Sequence, residues 1–483
     1  MRLRNPLRKV ECAKMSIGEK AITIYEMEKI IYQRACEAGR EMFKNILETM
    51  DTELSKERDR KALRHKGKRK TTLKTLMGEV EFKRSVYEYR SDEGKNCNIC
   101  LLDKELGFDT VGFISENLAE KIVETSCELS YRKTSKTISE LTGQSISHMG
   151  AWNVIQSLGE RVDEKERHAA KLVKANESRG REEAKLLFEE QDGIFLTLQG
   201  KDRKKYGQKH EMKIAIAYKG AVKTGKKRYN LTGKVACANF ESINSFYARK
   251  EGAIGSVYNL DEIEMRVLNG DGASWIKRSI TDDTVHYQLD TFHRNQAVLR
   301  HVGDLEARKL IFKLLYSKQI DTLLEVIEAY SNSSDDEKER DGFLQLLTYF
   351  KNNKDGLVSY KRRGINFPPP PEGIEYRGCG AMESNVFSII GRRMKRRRTN
   401  WSICGGNNLA RFLALKSTGK LSETLKNLTS AVLPPMYEEE IQTVLSSASI
   451  PKAVGKGYGG VKQSSIPNPP KWLRNVLCFD SLY

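Results

Sequence analysis

The sequence predicts an α/β protein. Short runs rich in β-branched residues, separated by Gly, Lys and polar turns, cluster between residues 184 and 290. Apolar residues at three- and four-residue steps flank that cluster on both sides. A long stretch from about Asn295 to Tyr360 reads as helix throughout. With 483 residues the chain has room for about two to four domains. The patterning divides it into an N-terminal helix and hairpin region (1–110), a two-helix region (111–180), a strand-rich core (181–294), a helical insertion (295–366), the last core helix (367–416) and a tail (417–483).

From about Ile22 to Leu63 the pattern is helical, with Met27, Ile30, Ile31, Met42, Phe43, Ile46 and Leu47 on one face. That face suits packing on the protein body or on a second subunit. In "RHKGKRKTTLKTLMGEVEFKRSVYEY", Val80, Phe82 and Val86 alternate with polar residues, as in a hairpin strand with one buried face. The Arg/Lys run before it reads either as a phosphate contact or as a solvated loop. Next, "SYRKTSKTISELTGQSISHMGAWNVIQSLGERVDEKER" predicts a helix near Lys133–Thr142 that ends at Gly143. A second helix starts after Ser145 or Ser147, with Trp152, Ile155, Leu158 and Val162 as its buried stripe. Two helices joined by a Gly-containing turn outline a helix-turn-helix. Ser147, His148, Asn153 and Gln156 would then face outward toward bases or phosphates. A plain helical hairpin is the alternative. The N-terminal part is therefore expected to be mainly helical and DNA-binding.

"KLLFEEQDGIFLTLQG" reads as a strand carrying Asp192. "EMKIAIAYKG" and "RYNLTGKVACANF" read as two more strands joined by the turn "AVKTGKK", followed by a helix around Phe240–Arg249. "VLNGDGASWIK" supplies a strand ending at Asp271, and "VHYQLD" one ending at Asp290. Three consecutive strands, a helix, a strand, a helix or loop and a strand is the core order of a ribonuclease-H-like fold. The helices after Asn295 are too long for a loop and read as an all-helical insertion into that core, split at "SNSSDDEKERD". "NFPPPPEG" stiffens the return path. Beyond it, "RGCGAMESNVFSIIGRRMKRRRTNW" predicts a helix with a stripe of Val386, Ile389, Ile390 and Met394, and Glu383 near its start. The last sixty or so residues, with "GKGYGGVKQSSIPNPP", read as a loosely packed tail.

In such a core the first and fourth strands are neighbours, so Asp192 and Asp271 can meet, with Glu383 arriving from the last helix. Three carboxylates suit two-metal chemistry. Two Mg²⁺ ions about 3.5–4 Å apart can clamp a phosphodiester for in-line attack, and Mg²⁺ prefers hard carboxylate oxygen. Gly270 and Gly272 would admit a DNA backbone close to Asp271. Arg392, Arg393, Lys395, Arg396, Arg397 and Arg398 follow Glu383 and would line a DNA path, with salt-sensitive phosphate binding. Their alternative is a solvated helix end. Trp401 suits stacking on an unpaired base or a core position. Asp290 and His293 stand in D-x-x-H spacing on a strand-to-helix turn and can face the same cleft.

Composition agrees with a polyanionic partner. The chain has 83 Lys and Arg against 64 Asp and Glu, a net charge of +19, with pI about 9.3. Mean hydropathy is −0.57, and no apolar run reaches the ~18 residues of a membrane span. The basic N-terminus lacks the apolar centre of a signal peptide. The expected location is cytoplasmic and nucleoid-associated. Nine scattered cysteines imply no disulfide framework, and the C-x-x-C of Cys97 and Cys100 lacks the second ligand pair that structural zinc needs.

The blocks "YRKTSKTISELTGQSIS", "EQDGIFLTLQG", "NGDGASWIK", "LDTFHRNQA" and "GAMESNVFSIIGRRMKRRRTNWS" together resemble bacterial ISLre-type insertion-sequence transposases (the ISLre-two family). That family is grouped with the Mutator- and hAT-like DDE transposases. The resemblance runs from about residue 20 to 415. It implies that Asp192, Asp271 and Glu383 are the metal-binding catalytic triad for two Mg²⁺ or Mn²⁺ ions. It implies that Asp290 and His293 are the accessory C/D-x-x-H motif. It also implies terminal inverted repeats and target DNA as substrates, and a homodimer or higher oligomer on DNA. Two other readings stay open: a structure-specific nuclease on the same fold, and a non-enzymatic helix-turn-helix regulator.

Overall fold

The structure is a computed structural model and describes residues 23–91, 93–108, 112–178, 180–396 and 399–429. The described chain forms two compact units, one from residues up to Gly107 with Thr142–Gln144, the other from Phe108–Leu141 and Ser145 onward.

In the first unit a helix, Ile24–Glu57, starts at a capping box. Thr23 Oγ accepts the Glu26 amide, and the Glu26 carboxylate accepts the Thr23 amide. The helix packs on an antiparallel sheet of β1 (Arg64–Thr75), β2 (Gly78–Arg90) and β3 (Asn96–Ile99), in that order. This region is helix and sheet, not mainly helix. Val80, Phe82 and Val86 are buried as the alternation requires. The basic run is neither a free loop nor an unopposed cationic patch. It is β1, and Lys66, Lys68 and Lys70 pair with Glu88, Asp51 and Glu81. The helix stripe is buried at Leu47 and Met50, whereas Ile24, Met27 and Ile31 near its start are exposed. Cys97 and Cys100 are half-buried free thiols.

The second unit is a mixed α/β body. Its strands are β4 (Leu186–Thr197), β5 (Lys209–Tyr218), β6 (Gly220–Gly225), β7 (Arg228–Thr232), β8 (Val235–Asn239), β9 (Met265–Gly270) and β10 (Val285–Leu289). Five of them form one sheet in the order β10-β9-β4-β5-β8. The β4–β5 and β5–β8 pairs are antiparallel, and the β4–β9 and β9–β10 pairs are parallel. The segment expected as a turn plus one strand is instead a separate hairpin, β6–β7, followed by β8. Gly233, at φ +67°, breaks the run, and a Cβ there would lie 2.3 Å from the Tyr258 hydroxyl.

Alternation on β4 sets the two faces of this sheet. Phe188, Glu190, Asp192 and Ile194 share one face. Over it lies a π-helical segment, Val386–Lys395, whose Ile389, Ile390 and Met394 are buried. The opposite face carries Glu189, Ala215, Cys237 and Leu268, and the helix Ile243–Gly255 covers it through Phe246. The buried charges Glu189 and Lys250 on this side are paired. Lys250 contacts Glu189 at 2.5 Å and Glu251 at 2.9 Å, and Arg266 contacts the same two glutamates.

The long helix His148–Lys174 packs on Ile243–Gly255 and on Ile403–Ser417. Ser147 is its N-cap, accepting the Gly150 amide. Ile155, Leu158 and Val162 are buried as expected. Trp152 is not: it is 36% exposed. Gln156 does not face outward either. It is buried, and its side-chain oxygen accepts the Asn408 amide at 2.8 Å. Ser147, His148 and Asn153 are exposed.

The insertion is helical as expected: Thr291–His301, Leu305–Ser317, Ile320–Ser333 and Glu337–Asn352. Its Ile311, Leu323, Ile327, Phe343 and Phe350 join the core that also contains Leu268, Tyr287 and Leu289 of β9 and β10. The segment expected as tail begins with an ordered helix, Leu421–Thr429, whose Leu421 and Leu425 are buried. Residues 430–483 lie outside the described residues. Among the described residues no helix is long and apolar enough to cross a membrane.

Candidate active site

The parallel pairing of three neighbouring strands stops at one level, and each strand carries an aspartate there. Gln191 of β4 pairs with Gly270 of β9, and Gly270 pairs with Leu289 of β10. The next residues are Asp192, Asp271 and Asp290. The carboxyl ends of parallel strands are where open α/β sheets place ligands. Because β4 continues past its partner, Asp192 stays within the sheet, whereas Asp271 and Asp290 leave it.

Each aspartate has a different environment. Asp271 Oδ1 accepts the Ala273 amide at 2.9 Å, and its backbone carbonyl accepts the Tyr349 hydroxyl at 2.7 Å, tying the site to the insertion. Burial pushes the Asp271 carboxyl up, and the nearby charge of Asp192 adds to that against the Ala273 amide. Two carboxylates that repel at a half-buried position favour a cation between them. Asp290 is committed elsewhere. It is buried and caps Thr291–His301, its Oδ1 accepting the amides of Phe292 and His293. Its Oδ2 accepts the Asn269 side-chain amide at 2.8 Å. The D-x-x-H spacing thus works through the cap, which aims His293. The His293 Nε2 lies 3.8 Å from Asp192 Oδ2, and that contact raises the imidazole pKa.

Glu383 lies on the first turn of Met382–Asn385 and is exposed. It makes no hydrogen bond or ion pair among the described residues. No group of three or more His, Cys, Asp or Glu side chains converges as a metal-binding cluster among them. Asp192 lies beside His293, and Asp271 feels the charge of both, whereas the third carboxylate of the expected triad makes no contact with them among the described residues. The hard oxygen donors of Asp192 and Asp271 fit a Mg²⁺ or Mn²⁺ ion by chemistry.

Two carboxylates that the sequence reading passed over shape this site. Glu190 is fully buried, and its carboxylate accepts the backbone amides of Gly380, Ala381 and Met382 at 2.9, 3.2 and 3.1 Å. The Tyr218 hydroxyl and the Asn269 amide also donate to it. Glu190 thus pins the turn bearing Glu383 onto the face that carries Asp192. Adjacent glutamates inside the apolar run "KLLFEEQDG" were the available signal. Glu211, on β5, is half-buried and feels both Asp192 and Asp271. Burial raises its carboxyl, while Lys213 and a hydrogen bond from Trp275 oppose that rise. A Cβ on Gly193 would lie 2.0 Å from Glu211 Oε1, so the glycine after Asp192 makes room for this carboxylate.

The other two site glycines also serve packing within the protein. A Cβ on Gly270 would meet Ile276 at 2.7 Å. Gly272, at φ +94°, would meet the Asn353 side chain at 2.7 Å.

The basic segment after Glu383 is divided. Arg393 is buried, donates to the Ser126 carbonyl at 2.7 Å and stacks over Trp401. Trp401 is also buried, with its indole donating to the Met394 carbonyl at 2.9 Å, so it is a core residue and not a stacking platform. Arg392 is exposed and pairs with Glu128. Lys395 and Arg396 are exposed, with Arg396 over the Phe387 ring. Arg397 and Arg398 lie outside the described residues.

Residues 18–427 match the model of a family described as "Uncharacterised protein family (UPF0236)". The chain is 24% identical over 419 residues to "UPF0236 protein in vanSb 3'region" from Streptococcus gallolyticus, covering 82% of this chain and 85% of that protein. It is 23% identical over 407 residues to a UPF0236 protein of Caldanaerobacter subterraneus subsp. tengcongensis, covering 83% and 80% of the two chains. Another relative from that organism, 23% identical over 408 residues and covering 83% and 79%, has a name joining eleven locus labels.

Proposed function

The chain belongs to the uncharacterised protein family UPF0236, and we propose that it is a DDE-type transposase of a bacterial insertion sequence. It would bind terminal inverted repeats and catalyse metal-dependent DNA cleavage and strand transfer. The observation that carries this reading is the parallel register of β4 and β9, which stops at Gln191 and Gly270, the residues just before Asp192 and Asp271.

Several features support it. The sheet order β10-β9-β4-β5-β8, with antiparallel pairs on one side of β4 and parallel pairs on the other, suits a ribonuclease-H-like core. The turn bearing Glu383 is held to the Asp192 face by Glu190. The resemblance of the sequence blocks to ISLre-type transposases points the same way, as does the net charge of +19. The eleven joined locus labels of one relative are what a copied element leaves in a genome.

In this reading Asp192 and Asp271 would hold the metal, and Glu383 would complete the set when DNA is bound. Bound Mg²⁺ or Mn²⁺, as two ions, would supply Lewis-acid activation of the scissile phosphodiester. The chain's own residues do the positioning. Asp290 fixes the first turn of its helix and thereby the direction of His293. His293 places its imidazole Nε2 beside Asp192, where an N–H there can meet a phosphate oxygen. Handling two transposon ends together requires a homodimer or larger assembly on DNA, in a nucleoid-associated protein.

The test is cleavage and joining of labelled DNA carrying the element's own ends, with Mg²⁺ or Mn²⁺. Metal-dependent cutting followed by joining supports transposition. Cutting that never rejoins points to a structure-specific nuclease on the same fold. Binding that is indifferent to metal and to substitution of Asp192 or Glu383 points to a DNA-binding regulator.

A further inference from the structure

A cavity of about 1070 Å³ opens where the helix Ile243–Gly255 begins, against the end of His148–Lys174 and the start of β5. Five cations line it: Arg167 and Lys171 from the long helix, Lys213 from β5, Arg249 from Ile243–Gly255, and Arg278 beyond β9; Arg167 and Arg249 are paired, Arg167 with Asp163 at 2.9 Å. Glu241 is the one carboxylate among the lining residues, and it is already engaged by Arg249 at 2.8 Å and Arg411 at 3.5 Å. Lys171 and Arg278 are exposed and make no hydrogen bond or ion pair among the described residues. Lys213 is buried to 8% exposure, and its one hydrogen bond goes to the Glu241 carbonyl at 3.0 Å. The cavity therefore holds positive charge that the protein does not neutralise. Free helix-start amides beside Ser242 add to it.

The cavity lies on the face of the sheet opposite Asp192 and reaches the candidate site along β5. Lys213 pairs across the sheet with Gly193, the residue after Asp192. Its Nζ lies 6.0 Å from the ring centre of Trp275, four residues after Asp271. Glu211, two residues before Lys213 on β5 and in register with Phe195, feels the charges of Lys213, Asp192 and Asp271.

We propose that this cavity seats backbone phosphates of the DNA strand that passes to Asp192 and Asp271, with Lys171 and Arg278 as the phosphate-binding side chains and Lys213 as the floor. The inference rests on the transposase reading and extends it, because Arg278 lies outside both regions expected to meet DNA, and Lys171 lies at the far end of the long helix from Ser147, His148 and Asn153.

The experiment measures binding of the full chain to a fluorescent duplex across a salt series, for wild type and a Lys171→Ala/Arg278→Ala double variant. Both side chains are exposed, so the variant keeps its fold. Each lost phosphate contact lowers the slope of log affinity against log salt by about one, so the double variant loses about two. Between about 50 and 200 mM salt, wild type then loses about ten-fold more affinity than the variant. A Lys309→Ala/Lys313→Ala variant on Leu305–Ser317 is the control and is expected to keep the wild-type slope. An unchanged slope in the double variant, or an equal drop in the control, overturns the cavity assignment while leaving the transposase reading intact. Absence of salt-dependent DNA binding by wild type removes both.

Discussion

Gln191 and Gly270 are register partners in the parallel pair of β4 and β9. That single pairing places Asp192 and Asp271 side by side, and it makes the candidate site a property of the sheet more than of its loops. A slip of one residue would turn Asp192 to the opposite face. The buried pairs around it, Phe188 with Val267 and Glu190 with Asn269, hold the register.

Glu190 is predicted to be the most sensitive carboxylate for folding in this region. Glu190→Ala leaves three backbone amides and the Tyr218 hydroxyl without their acceptor. Each unsatisfied buried donor costs about 1–3 kcal/mol, so a loss of about 3 kcal/mol or more is expected in denaturant unfolding. Glu190→Gln, which keeps acceptor oxygen, should lose clearly less. Equal losses in the two variants would remove the anchoring role.

Gly193→Ala is predicted to act on the site more than on stability. The added Cβ collides with the end of a flexible side chain, Glu211, which can swing away. Unfolding free energy should change by about 1–2 kcal/mol, and Glu211→Ala should relieve most of that change in the double variant. Additive effects of the two substitutions would contradict the contact.

The buried ion network of Lys250, Glu189, Arg266 and Glu251 is predicted to matter for stability alone. Lys250→Met leaves Glu189 buried at 3% exposure with only Arg266 as partner and should cost about 3–5 kcal/mol. Its pH signature follows from Glu251. Burial alone would raise that carboxyl, but Lys250 and Arg266 draw it down to about 2. A depressed acid stabilises the fold above its unfolded value, about 4.3, and loses that contribution as pH falls toward 2. Acid unfolding of Glu251→Gln should therefore depend less on pH over that window than wild type. Identical acid profiles would refute the assignment.

Much of this architecture was legible because burial leaves a period in the sequence. β4, β9 and β10 announce themselves as apolar runs that stop at Asp or at Gly-Asp, and the insertion announces itself by helical spacing. What escaped were features set by tertiary partners. Gln156 reads as a surface residue until Asn408 satisfies it from a distant helix. Trp401 and Arg393 read as DNA-facing until they stack on each other inside the fold. β7 and β8 read as one strand because the break at Gly233 is imposed by Tyr258. Glu211 carries no local signature of its role, and the adjacent glutamates in "KLLFEEQDG" mark Glu190 as unusual without giving the amides it accepts, which a distant turn supplies.

The central claim is that Asp271 serves chemistry and not folding. The direct measurement is strand cleavage and joining on labelled DNA from the element's own ends, with Mg²⁺ or Mn²⁺, for wild type and Asp271→Asn side by side. The account predicts that wild type cuts and joins only with metal, and that Asp271→Asn binds the ends as tightly as wild type and does neither. Cleavage by Asp271→Asn at the wild-type rate, or loss of end binding in that variant, would contradict it.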